Sequence, residues 1–190
     1  MKILSSRVAV SDADVMIKLY KAGSLSLLGD IFSEVIVPGK VYEEVTRKIN
    51  KQVDDINSLL ENKWLKKITI TDREFLNEDQ IELIGITMHS FQHALDDGER
   101  EAFALANELN ISILLIDDAS AKRIIEHNSN VKGLSHVEVL YLAILKKIMT
   151  PQEAEKVFER INTVVTYPIK TPFSDLIRRA QKRFRELGLL

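Results

Sequence analysis

Asp12 closes the apolar run Val8 to Val10 and Asp117 closes the run Ile113 to Ile116, while Glu44 and Glu99 fall in helix-patterned stretches between them. Parallel strands that end in carboxylates bring those side chains to one edge of a sheet, the edge at which open α/β folds bind ligands. Acids far apart in the chain can then share a cleft. Such a cluster is unfavourable alone, because like charges raise one another's pKa and burial adds to the effect. A divalent cation reverses that balance. Oxygen-only ligation suits magnesium or manganese, which bridge carboxylates to substrate phosphates. The chemistry indicated is phosphodiester hydrolysis, with Asp12, Glu44, Glu99 and Asp117 positioning one or two ions that activate water.

Each acid also has a structural reading. Asp12, Asp117 and Asp118 all precede helical stretches, where an aspartate accepts hydrogen bonds from the first free amides. Glu99 in a first turn complements the helix dipole. Helical phase separates neighbours: Val41, Val45 and Ile49 define an apolar stripe nearer to Glu44 than to Glu43. Ala102, Phe103, Ala106 and Leu109 put Glu99 at the edge of their stripe and Glu101 further away. Asp118 shares or replaces the role of Asp117 as a metal ligand, and Glu101 stands as the alternative to Glu99. Asp14 is the less favoured neighbour of Asp12.

The elements that must position these groups alternate between short β-like runs and longer helical ones, the pattern of a parallel sheet covered on both faces. Strands are expected at Val8 to Ser11, Glu34 to Val37, Lys67 to Ile70 and Ile111 to Ile116. Helices are expected after the first strand and through Leu27 to Ile31. Others fall at Gly39 to Lys48, Val53 to Leu65, Glu99 to Leu109, Ala119 to Glu126, Ser135 to Lys147 and Pro151 to Ile161. The fold class is thus α/β, three layers around a short central parallel sheet. One domain over residues 1–190 accounts for the length, with 72–95 a helical insertion or cap and 172–190 a basic terminal helix.

Apolar residues make up 45% and charged residues 28% of the chain, ordinary globular usage. No apolar stretch reaches bilayer length and no signal-peptide core is evident, so a cytoplasmic protein without a membrane partner is expected. The absence of cysteine excludes disulfides, thiolate metal sites and a cysteine nucleophile. A net charge of -2 gives no global attraction to nucleic acid. A local basic surface is the remaining route, and Arg178, Arg179, Lys182 and Arg183 crowd the last helix. Charge runs of this kind are more commonly solvated faces. His89 and His93 have the spacing of a zinc pair on one helical face but lack the glutamate of the protease motif, and surface histidines are the simpler reading.

Four segments carry a family resemblance: "SDADVMIKL" with Asp12, "VPGKVYEEV" with Glu44, "DDGEREAFALANEL" with Glu99 and "LLIDDASAKR" with Asp117. In order and spacing the chain resembles the PIN-domain family of metal-dependent ribonucleases, in particular the prokaryotic, VapC-like branch with a glycine-glutamate-x-glutamate motif. The resemblance spans most of the chain. It implies a PIN-like fold, a Mg2+ or Mn2+ cofactor, RNA as substrate, a homodimer and, for toxin members, a cognate antitoxin protein. Two other readings remain in play: a non-catalytic nucleic-acid-binding module on the same fold, and a haloacid-dehalogenase-like phosphatase suggested by the Asp12-x-Asp14 pair after a strand.

Overall fold

Successive residues of the two central strands are equally inaccessible, which requires a sheet covered on both faces. β1 (Val8–Ser11) and β4 (Ile113–Leu115) run parallel, with Val10 opposite Leu114 and Ser11 opposite Leu115. Ala9, Val10, Leu114 and Leu115 are all fully buried. β2 (Glu34–Pro38) and β3 (Leu65–Ile68) extend the sheet beyond β1, and β5 (Lys132–Leu134) extends it beyond β4. The order is β3-β2-β1-β4-β5 and every pair is parallel. This computed structural model describes residues 7–49 and 63–188. It has the expected α/β architecture, a parallel sheet flanked by helices.

The order has a functional consequence. From β1 the chain turns to β2 on one side and later to β4 on the other, so the switch point lies between β1 and β4, where open α/β sheets bind ligands. Asp12 and Asp117 flank that point. The amide of Asp12 donates to Leu115 O at 2.8 Å, which locks the two strand ends together.

Six of the described helices begin where a polar side chain satisfies a first-turn amide. α1 (Ala13–Lys21) is capped by Asp12, and α2 (Leu27–Ile31) follows it. α3 (Gly39–Ile49) leaves β2 directly after Pro38. α4 (Glu78–Ser90), α5 (Asp97–Glu108), α7 (His136–Leu145) and α8 (Pro151–Val164) each open with a reciprocal capping box, on Asn77, Asp96, Ser135 and Thr150. Asp118 caps α6 (Ala119–Asn128), and α9 (Phe173–Glu186) starts after Pro172. α5 lies against β1, β2 and β4, with α3 and α4 packed on it.

Three expectations are corrected. β3 begins at Leu65, two residues before the expected start, because Val35 donates to Trp64 O at 2.6 Å and Leu65 pairs with Val35. The helix expected over Val53 to Leu65 falls mostly outside the described residues, and within them Trp64 is in a turn and Leu65 in β3. Trp64 packs on α2, where a Cβ on Gly29 would lie 2.7 Å from its ring, so only glycine permits that approach. β5 was not expected, because three residues reading Lys-Gly-Leu carry no periodicity; the alignment of Gly133 with Leu114 makes it a strand. Within 72–95, α4 buries Ile84, and Phe91 meets Phe103 of α5 edge-on at 5.1 Å.

Candidate active site

Gly98, in the first turn of α5, marks the place where three elements deliver carboxylates. A Cβ on Gly98 would lie 3.6 Å from Asp12 Oδ1, 3.6 Å from Asp96 Oδ1 and 3.6 Å from Glu44 Oε2. No two of these oxygens can be further apart than twice that distance. Asp12 comes from the end of β1, Glu44 from the middle of α3 and Asp96 from the cap of α5. A methyl group at this position would touch all three oxygens at ordinary contact distance.

Asp12 is the most constrained of them. It is 8% exposed, and its contact with the Asp14 amide as a cap is long, 3.5 Å. Burial, above all, pushes its carboxyl up to about 7; a bond from the Ala13 amide opposes this, and the neighbouring Asp14, Asp96 and Glu99 add to it. None of the ion pairs among the described residues involves Asp12, whereas Glu44 and Asp117 both have lysine partners.

Glu44 is half-buried and accepts from Lys48 Nζ at 2.6 Å, one helical turn on, and Lys48 also reaches Asp14 at 3.7 Å. The exposed Glu43 points away and pairs with Lys40, as helical phase predicts. Glu99 stands in the third position of α5, reciprocally bonded with Asp96: its amide donates to Asp96 Oδ1 at 2.8 Å, and the Asp96 amide donates to Glu99 Oε2 at 3.1 Å. Burial raises the Glu99 carboxyl, and the charges of Asp96, Asp118 and Asp14 reinforce the shift. Asp118 thus contributes negative potential to Glu99, although its own Oδ1 is engaged by the amides of Ser120 and Ala121 at 2.8 and 2.7 Å.

Asp117 is placed differently. Both its oxygens are claimed, by Lys18 Nζ at 2.6 Å, by the His136 amide at 2.8 Å and by His136 Nδ1 at 2.9 Å. Burial alone would raise its pKa, but His136 and Lys18 outweigh that and hold the carboxyl well below the usual range. The structure therefore gathers Asp12, Glu44 and Glu99 with Asp96, and sets Asp117 at the flank in a buried pair.

Two residues differ from their expected surroundings. Glu101, expected to point away from the core, is 3% exposed and accepts from the Lys40 amide at 2.6 Å. The single-stripe reading fails because α5 is enclosed by the sheet, α3 and α4 and has no wide polar face; its residues 101–106 are all buried. Glu101 instead pins the start of α3 and so fixes where Glu44 emerges. Arg183, grouped by sequence with Arg178, Arg179 and Lys182, is turned inward to Glu126, Glu138 and Gly133 O, the last at 3.0 Å. Lys122 shares Glu138 at 2.8 Å. Arg178 pairs with Asp175 on the exposed face, Lys182 lies 3.7 Å from Glu186, and Arg179 lines a cleft with Lys18, Lys122 and His136.

His89 and His93 are both exposed, and α4 ends at Ser90 between them, so they do not share a helical face. Asp96, Lys48 and His136 were missed by the sequence reading. Asp96 had a signal, the Asp-x-x-Glu spacing of a capping box. Lys48 had one too, four residues after Glu44. His136 had none, since its partner is 19 residues away on another strand end.

Among the described residues no group of three or more His, Asp or Glu side chains is placed to hold a metal ion. Lys48 engages Glu44, and the capping box engages Asp96 and Glu99. No helix among the described residues is long and apolar enough to cross a membrane.

A family model described as PIN domain matches residues 8–182, from β1 into α9. No curated protein matches the chain, and no solved structure matches it.

Proposed function

The chain belongs to the PIN-domain family, and from that premise we propose that it is a divalent-metal-dependent endoribonuclease hydrolysing RNA phosphodiester bonds. The family is in general one of nucleases, and a divalent metal is typical of it. The observation that carries the reading is the meeting of Asp12, Glu44 and Asp96 oxygens beside Gly98, with a buried Asp12 that takes part in none of the ion pairs among the described residues. The donors are all hard carboxylate oxygens, the ligand type that magnesium and manganese take.

Asp12, Glu44, Asp96 and Glu99 would hold the ion, which supplies Lewis-acid polarisation of the phosphodiester and a more acidic water. The rest falls to the chain. Asp12 gives up its proton near neutrality, so its carboxylate becomes available over the physiological range. Gly98 puts no side chain against the Asp12, Asp96 and Glu44 oxygens, and Glu101 holds the start of α3, the helix that carries Glu44. Lys48 and Lys18 each neutralise one flanking carboxylate and can donate to phosphate oxygens. Asp117, fourth acid of the sequence pattern, acts in this arrangement by holding Lys18 and His136, and Asp118 by its charge beside Glu99. No nucleophilic side chain is required.

The finer parts of the reading are also proposals: membership of the prokaryotic VapC-like branch, supported by Gly98-Glu99-Arg100-Glu101; a cognate antitoxin; a homodimer; a cytoplasmic location; and RNA-backbone contacts from Arg178, Arg179 and Lys182. A second reading, a non-catalytic nucleic-acid-binding module, draws on the carboxylates' occupation by Lys48 and by caps. The phosphatase reading has less support, because Asp14 is exposed and paired with Lys48. The test is cleavage of labelled RNA with and without manganese. Wild type should cleave only with the ion and Asp12→Asn should not cleave at all; equal cleavage by both would reject the assignment.

A further inference from the structure

A cleft of about 370 Å³ adjoins the carboxylate cluster and is lined by Asp14, Ile17, Lys18, Lys21, Lys48 and the segment 164–167. Three lysines and one aspartate line it. Two of the lysines are ion-paired, Lys18 to Asp117 and Lys48 to Glu44 and Asp14, and Lys21 has no ion pair among the described residues. Lys48 therefore links the cleft to the cluster through Glu44. Lys21, in the last turn of α1, is exposed.

Tyr167 supplies a second, independent observation. Its side chain is 88% exposed, the most of any large apolar or aromatic residue described, and Val164 beside it is exposed as well. Both lie on this cleft. An aromatic ring left in water next to a row of ammonium groups has no role in the core, which Phe158, Phe173 and Phe184 fill from within. It does have the composition of a single-stranded nucleic-acid platform, where cations follow the backbone and an aromatic ring stacks a base whatever its identity.

Resting on the ribonuclease reading, we infer that this cleft binds the single-stranded stretch of RNA next to the scissile bond. Lys21, Lys18 and Lys48 face its phosphates and Tyr167 stacks one base. The surface differs from the basic helix α9, and its position places the bound strand directly against the carboxylates. Duplex RNA, whose bases are already stacked, cannot use Tyr167.

The test is the affinity of the full chain for a fluorescent oligouridylate, read by anisotropy in EDTA or with calcium so that the strand is not consumed. Tyr167→Ala should weaken binding about tenfold, Tyr167→Trp should restore it, and neither should alter affinity for a duplex of the same length. Lys21→Ala should reduce the slope of log affinity against log salt by about 0.7. Wild-type affinity in both Tyr167→Ala and Lys21→Ala would overturn the inference and leave the cleft to a protein partner. Absence of any binding by wild type, in EDTA and in calcium, would overturn it too. Cleavage with manganese is scored separately. A chain that binds as described and never cleaves ends the nuclease reading alone, and a chain that cleaves while both variants bind normally ends the cleft assignment alone.

Discussion

Replacing Asp12 by asparagine tests the electrostatics of the site while keeping its shape. The residue is 8% exposed, and burial, reinforced by Asp14, Asp96 and Glu99, moves its titration from 3.8 to about 7. In the unfolded chain the carboxyl ionises at its ordinary value. Between about pH 4 and pH 7 the folded state therefore holds a proton that the unfolded state has released, and stability falls as pH rises through that window. The slope is at most about 1.4 kcal/mol per pH unit, so the ionised carboxylate costs the metal-free protein up to about 4 kcal/mol near pH 8. Asparagine keeps an oxygen for the cap and removes the charge. In EDTA the variant should exceed wild type by up to about 4 kcal/mol near pH 8 and by about 1.5 kcal/mol near pH 5, from urea unfolding at each pH. Manganese should reverse the order, because an ion bound only by the native wild type adds RT ln(1 + [L]/Kd) to its stability. A difference that does not change with pH, or a wild type that is the more stable in EDTA near pH 8, would refute the picture of an isolated buried carboxylate.

Gly98→Ala places a methyl group in ordinary contact with the Asp12, Asp96 and Glu44 oxygens. It should raise metal-free stability by about 0.5 to 1 kcal/mol through helix propensity, while the rise in melting temperature on adding manganese should disappear. Asp117→Asn removes the charge that faces Lys18 and His136, and should lower stability at neutral pH by about 3 kcal/mol, measured by denaturant midpoint. Because the native carboxyl is held below its ordinary 3.8, its contribution is present above that pH and lost as pH falls beneath it, so the two proteins should converge in strong acid. Arg183→Ala leaves Glu138 and Glu126 short of a partner and should cost about 2 kcal/mol, with RNA affinity within twofold of wild type in anisotropy titrations.

Much of the fold could be read from local pattern. The runs Val8 to Val10 in β1, Val35 to Val37 in β2 and Ile113 to Leu115 in β4 are unbroken apolar because both faces of a central parallel strand are covered. Helix starts could be read wherever a cap and its third residue are neighbours in sequence, as with Thr150 and Glu153. β5 could not, since its pairing partners Ile113 to Leu115 alone make Lys132 to Leu134 a strand. Among the candidate carboxylates, Asp12, Glu44 and Glu99 can be singled out in the sequence by their places at a strand end and on helix faces. Glu101 was misread because phase identifies one buried stripe, and α5 is buried on more than one side.

The sequence by itself determined that acids stand at the ends of parallel strands and that Glu44 and Glu99 ride on the adjoining helices, because hydrophobic period and capping spacing act over a few residues. Tertiary structure alone decided which carboxylates meet. Asp117 turns to Lys18, 99 residues away, and Glu101 to the Lys40 amide, 61 residues away, while Asp96 joins Asp12 and Glu44 about Gly98. The direction of a buried carboxylate is set by whichever donor lies within hydrogen-bond reach, and that donor is brought there by chain crossings that no local pattern encodes.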